Sequence, residues 1–390
     1  MSDINNNEND GLEEREDREE RRKRRREERR RIRRRNRKIK IILTRWVPFA
    51  CVCILLIFLL VKGISAAAGL IFKSGDKEAA ATEEIATEEA ASVSLDSLSA
   101  DEAVSEDEVP VEEPKEIPIL NAEADERTGA VPGEVVSEHA VLVALSENRI
   151  VAGRDYSSTI NPASMTKVLT ILVAAETMEE RGDSVDDKFE ITQEIENYSY
   201  VHECSNVGFS VSENVTMNDL FYGAILPSGG DAAYALAIYA GGSMEGFADM
   251  MNAKMAELGC SDSAHFTNSI GLYDENHHCT TYDMARIMYA AMQNDYCKEV
   301  LSAHKYVTSS TPEHPEGIEL SNWFLRRIED KDSGGTVVAA KTGFVVQSKN
   351  CAVSYAEDSY GNGYICATGG SSSAWRCIYD HVAIYKKYLP

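Results

Sequence analysis

The stretch NPASMTKVLT, residues 161–170, sets a serine and a lysine three residues apart where a polar, proline-containing approach gives way to an apolar run. Pro162 suits the start of a helix, because it lacks the N–H that would go unpaired there. Apolar residues recur at three- to four-residue spacing through SMTKVLTILVAAETMEERG, which predicts a helix. Residues i and i+3 share a helix face, so Ser164 and Lys167 should meet side by side. The lysine can take the serine's proton only if burial or a nearby cation lowers its pKa. The N-terminal N–H groups and the helix dipole would favour negative charge developing next to Ser164. Taken alone, the spacing is common and also fits an ordinary helix cap with a solvated lysine. Its company decides.

Working outward, AVLVALSENRIVAGRDY alternates like two short strands around a polar turn at Ser146-Glu147-Asn148. MNDLFYGAILPSGGDAAYALAIYAGG, MEGFADMMNAKMAELG and TTYDMARIMYAAMQND then have helical periodicity. After Gly335 the pattern returns to β-branched alternation with a Gly-Asn-Gly turn at 361–363, and a helix-like stretch closes the chain from Ala374 to Tyr388. Strands, then helices, then strands predict an α+β domain whose two ends pair in one sheet with helices packed around it. Two further motifs fall on its breaks. Ser228-Gly229-Gly230-Asp231 lies between two apolar helices, and Lys341-Thr342-Gly343 lies in a strand-like run. Such a strand offers a cation and a hydroxyl to a carboxylate, with a glycine that lets a substrate backbone lie close.

The ordered set Ser164-x-x-Lys167, Ser228-Gly229-Gly230 and Lys341-Thr342-Gly343 resembles the SxxK, SxN and KTG motifs of the penicillin-binding proteins. It looks most like the low-molecular-mass serine D-Ala-D-Ala carboxypeptidases. PASMTK, LFYGAILPSGGDAAYALA, the run from Phe266 through Asn268 to Gly271-Leu272, and Tyr282-Asp283 extend the likeness across about 131–390. The resemblance implies a β-lactamase/transpeptidase-like fold and an acyl-enzyme on Ser164, with Lys167 as general base and Ser228 relaying protons among Lys167, Lys341 and the leaving amine. By the same likeness, Lys341 and Thr342 hold the terminal carboxylate of a peptidoglycan stem peptide. The backbone N–H groups of Ser164 and Phe344 form the oxyanion hole, Gly343 lets substrate approach, and β-lactams acylate Ser164. No metal or organic cofactor is implied.

One position departs from the family. Gly230 stands where the second motif usually has Asn, so an amide that would bond substrate and lysine is missing. Losing such a hydrogen bond costs roughly 1.5–3 kcal/mol, enough to slow an enzyme tenfold or more without abolishing it. The competing readings are a transpeptidase or endopeptidase and a catalytically weak peptidoglycan-binding relative. A β-lactamase is disfavoured, because no Glu-x-x-Leu-Asn element lies between the first two motifs. His202 and Cys204, just before the second motif, are expected along the cleft with no role assigned.

The N-terminal third has a different character. The chain's net charge of −24 hides 18 Lys and Arg against 11 Asp and Glu in residues 1–45, leaving 22 against 53 in the remainder. WVPFACVCILLIFLLV, residues 46–61, is uncharged, and beyond Lys62 the apolar character continues to Phe72. These features predict a basic cytosolic tail at 1–45, a transmembrane signal anchor at 46–72, and an acidic disordered linker at 73–130 that holds the domain 131–390 outside the membrane. The rival reading is a signal peptide cleaved near Ser65-Ala66-Ala67-Ala68. The basic stretch is read as meeting anionic headgroups, with no nucleic-acid partner. Of nine cysteines, Cys51 and Cys53 fall in the predicted span. Cys351 and Cys366 flank the terminal hairpin, where a disulfide and two buried free thiols are equally weighted. His277, His278 and Cys279 are expected in a surface loop and not at a metal.

Overall fold

The computed structural model describes residues 118–390, so the predicted tail and span, and the linker up to residue 117, lie outside the described residues. The chain begins with β1 (Glu123–Ala130), β2 (His139–Ala144) and β3 (Arg149–Arg154), followed by a 3-10 turn at Ala163–Met165 and α1 (Thr166–Arg181). Then come β4 (Lys188–Glu190), α2 (Gln193–Val201), β5 (Asn214–Thr216), α3 (Met217–Ile225), α4 (Gly230–Gly241) and α5 (Met244–Glu257). α6 (Thr281–Gln293), α7 (Asp295–Ser302), β6 (Lys305–Val307), β7 (Glu319–Ser321) and α8 (Leu325–Ile328) lead to β8 (Thr336–Val345), β9 (Lys349–Glu357), β10 (Gly363–Ser371) and α9 (Ala374–Tyr388). Among the described residues, no helix is long and apolar enough to cross a membrane.

The main sheet runs β1-β3-β2-β10-β9-β8 and is antiparallel except where β1 lies parallel to β3. Early and late strands therefore pair through β2 and β10, as the strand–helix–strand order predicts. The folded unit takes in more chain than the boundary at 131 allowed: β1 is a sheet strand, and Leu120 and Ala122 are buried. The charged EADERTGA sequence hides β1 from a hydrophobic pattern, because both of its faces are largely exposed.

Alternation along the central strands sorts the core into two layers. Val141, Val143, Ile365 and Ala367 face the helical layer, whereas Leu142, Ala144, Tyr364 and Cys366 face α9. α1 is the axis of the helical layer: Thr166 to Ala175 are all buried, so it must be apolar on nearly every side. Gly182, at φ 70°, ends it by letting the Asp183 N–H turn back to the Met178 carbonyl at 3.0 Å. Capping boxes start α3 at Thr216/Asp219 and α6 at Thr280/Asp283.

The cross-strand disulfide is excluded by register. Cys366 sits opposite Ser354, not Cys351, and the two thiols lie in different core layers. All seven cysteines of the described residues are free thiols.

Candidate active site

The turn that presents Ser164 is strained and braced. Ala163 takes φ 47°, a left-handed conformation that costs a non-glycine residue on the order of 1 kcal/mol. Asn161 holds it there, accepting the Ala163 N–H at 3.0 Å and donating to the His277 carbonyl at 2.9 Å. Two glycines crowd the same backbone: a Cβ on Gly343 would lie 2.9 Å from the Ser164 nitrogen, and one on Gly271 would do the same while colliding with the Ala163 carbonyl. The third motif thus meets the nucleophile by close backbone approach, which only glycine permits at these positions.

Lys167 is fully buried one turn on, with Nζ 3.0 Å from Ser164 Oγ and 2.8 Å from the Ile270 carbonyl oxygen. That carbonyl is placed by Asn268, whose Oδ1 accepts from the N–H groups of Ile270, Gly271 and Leu272 at 2.8–3.1 Å. Burial lowers the Lys167 pKa to about 8, against smaller upward pulls from Cys204 and Asp231. At pH 7 this leaves roughly one lysine in ten neutral, against about one in three thousand for a free side chain. A neutral amine can donate to Ile270 and accept the Ser164 proton at the same time.

Lys341 comes in from β8, the edge strand of the sheet, on the same face as Ala339. Its Nζ donates to Ser228 Oγ and to the Thr342 carbonyl, both at 2.8 Å. Its pKa is driven well below the usual lysine value, first by burial and then by the charge on Lys167. A charge on Lys167 thus makes a second cation at Lys341 costly, whereas Lys167 itself is lowered by burial. Ser228 is itself at φ 64°, in the break between α3 and α4. It bonds Lys341 and not Lys167, so a proton relay through Ser228 lacks its direct link to the base. The Thr342 hydroxyl has no protein partner among the described residues and stays available to a carboxylate. Strand alternation turns the 60% exposed Phe344 side chain to the face opposite Lys341 and Gly343.

Gly230 opens α4, and its N–H donates to the Ser205 carbonyl at 2.7 Å. The sequence offered no reason for the missing side chain. The structure does: a Cβ there would lie 2.6 Å from Cys204 Cβ.

The surface loop expected at 277–279 is corrected. His277 and Cys279 are buried. The Thr267 N–H donates to His277 Nδ1 at 3.1 Å, which leaves the proton on Nε2 to reach Thr166 Oγ1 at 2.8 Å. Burial pushes the His277 pKa down to about 3, so the ring is a neutral strut between the Asn268 loop and the start of α1. No group of His, Cys, Asp or Glu among the described residues could hold a metal ion.

A part-exposed serine against a buried lysine, a second lysine on a sheet edge and a serine between helices form a site for acyl transfer by an activated hydroxyl. A profile of the D-alanyl-D-alanine carboxypeptidase family matches residues 125–365, a span that contains every one of these groups. This chain belongs to that family. Among curated carboxypeptidases, it is 30% identical over 159 residues to DacF of Bacillus subtilis, covering 41% of this chain and 39% of DacF. It is 27% identical over 202 residues to the enzyme of Streptomyces sp. strain K15, covering 49% and 66% of the two chains. The chain therefore spans between about two-fifths and two-thirds of the length of these curated relatives. The crystal structure of the Streptomyces K15 DD-transpeptidase shares the fold, with a TM-score of 0.59 at 23% identity over 65% of this chain and 98% of that one. DacD of Francisella tularensis matches at a TM-score of 0.59 and 20% identity, covering 67% and 72%.

Proposed function

We propose that this protein is a serine D-Ala-D-Ala carboxypeptidase that trims peptidoglycan stem peptides through a Ser164 acyl-enzyme. The observation that carries the reading is the 3.0 Å contact between Ser164 Oγ and a buried Lys167 whose pKa burial lowers to about 8. Neutral Lys167 takes the Ser164 proton as Oγ bonds to the carbonyl carbon between the two D-alanines. The backbone N–H groups of Ser164 and Phe344 receive the oxyanion. The C–N bond then breaks, and the proton held by Lys167 goes to the leaving amine, with Ser228 and Lys341 lining that side. Water adds to the acyl carbon and gives its proton to Lys167, which passes it to Ser164 Oγ as the ester C–O bond breaks and the carboxylate is released. Thr342 and Lys341 hold the terminal carboxylate, Gly343 lets the peptide lie along β8, and Gly230 contributes backbone alone. No metal or cofactor takes part.

The placement of the domain belongs to the same reading. The basic 1–45, the apolar 46–72 and the acidic 73–117 support a single-pass membrane protein with its catalytic domain outside, facing peptidoglycan and reachable by β-lactams. The test is D-alanine release from diacetyl-Lys-D-Ala-D-Ala by the full chain and by Ser164→Ala. Release that vanishes in the variant supports the carboxypeptidase. A wild-type protein that is acylated by penicillin yet releases no D-alanine overturns it.

A further inference from the structure

Gly230 is not a vacancy in the second motif. Where its side chain would begin, Cys204 already stands: an added Cβ would lie 2.6 Å from Cys204 Cβ, 3.1 Å from Sγ and 3.3 Å from the Ser205 carbonyl. The loop carrying Cys204 is pinned at this place from several sides. The Gly230 N–H bonds Ser205, and the Asp231 carboxylate accepts the N–H groups of Val207 and Gly208 at 2.9–3.1 Å. On the other side, the Cys204 N–H closes onto the Ser199 carbonyl at 3.0 Å, after Glu203 turns the chain at φ 52°. Tyr198 of α2 stacks on Tyr234 of α4 at 4.3 Å and locks the two helices that carry the loop.

The other six cysteines of the described residues are buried, whereas Cys204 is part-exposed. Its thiol also lies within electrostatic reach of Lys167.

We propose that Cys204 supplies, from the preceding loop, the side chain that the second motif lacks at Gly230, and is a positioning residue for Lys167 and for the peptide in the cleft. The inference rests on the serine-acylation reading above. The thiol fills the volume that a side chain at 230 would occupy and offers a weak S–H donor there, with only a long 3.9 Å contact to the His202 carbonyl oxygen to compete for it. Residues 204 and 230 thus share one volume, and only one of them can fill it.

The test is a cycle in the full chain, read as the rate of Ser164 acylation by a fluorescent penicillin and, separately, as D-alanine release. Cys204→Ala should slow acylation about three- to tenfold, the value of one modest hydrogen bond, with an unchanged thermal midpoint. It should also move the acid limb of the acylation profile to higher pH, because water entering the emptied volume raises the Lys167 pKa; Cys204→Ser should restore both rate and profile. Gly230→Asn should be slowed at least about a hundredfold by the clash, and Cys204→Gly/Gly230→Asn should recover most of that loss. A double variant no faster than Gly230→Asn, or a Cys204→Ala enzyme with wild-type rate and pH profile, would overturn the proposal. Normal acylation without D-alanine release would count against the carboxypeptidase reading and leave this cycle readable.

Discussion

The two faces of the main sheet each bury polar groups, and they do so in opposite ways. Behind the sheet, His381 bonds Ser354 Oγ at 2.7 Å through Nδ1 and Thr368 Oγ1 at 2.9 Å through Nε2, while Tyr385 caps Ser354 at 2.8 Å. Next to it, Asp380 accepts from the N–H groups of Val136 and Ser137 and from the hydroxyls of Ser137 and Ser371. Every group there has its partner, and His381 is held neutral by burial, with its pKa pushed down to about 3. In front, Lys167 and Lys341 are just as deeply buried, yet their hydrogen bonds go to hydroxyls and backbone carbonyls and not to carboxylates. A satisfied network stabilises a fold; an unpaired cation costs stability and is kept where chemistry needs a neutral amine.

That contrast breaks most sharply under substitution. Lys167→Met should lower D-alanine release by at least about a thousandfold while leaving the thermal midpoint unchanged or raised, because it removes a base together with a buried charge. Asp380→Ala should do the reverse, costing about 2–4 kcal/mol by urea denaturation because it orphans several buried donors, with near-normal turnover in the fraction that stays folded. Should Lys167→Met unfold the domain, or Asp380→Ala silence it while folded, the division between the faces fails.

The pH dependences should separate as well. Release should climb with pH as Lys167 loses its proton, with the acid limb near 8. In the acid range, global stability responds to the histidines. His277 and His381 remain neutral in the fold down to about 3, whereas the unfolded chain protonates them near 6.5. The unfolded state binds more protons in that window, so stability should fall as pH drops from about 6.5 toward 3. Urea midpoints taken from pH 7 to pH 4 measure it. The smallest effect belongs to Phe344→Ala: an exposed side chain on the strand face opposite Lys341 should change release less than about threefold and leave the thermal midpoint in place.

Much of the site was legible in the sequence because its chemistry follows helix and strand periods. Ser164 and Lys167 meet through i, i+3 spacing, and Lys341 reaches the helical layer through strand alternation. The pairing of early with late strands followed from element order. Tertiary contacts were not legible. Asn268 acts through a three-fold turn bond, for which its run of Asn-Ser-Ile-Gly was the only local signal. His277 looked like a loop histidine because its partners are set by tertiary folding: the Thr166 hydroxyl more than a hundred residues away, the Thr267 N–H and the ring of Phe266. β1 carries charge on a doubly exposed strand, so no hydrophobic pattern announced it. The Cys351–Cys366 pairing failed on register, which a cysteine count cannot supply.

The measurement that bears most directly on the whole account is the site and rate of acylation by benzylpenicillin, read by intact mass and peptide mapping on the full chain and on Lys167→Met. The account predicts a single adduct on Ser164 in the wild type, forming at least about a thousandfold more slowly in the variant. An adduct on another residue, or an unchanged rate without Lys167, would contradict it.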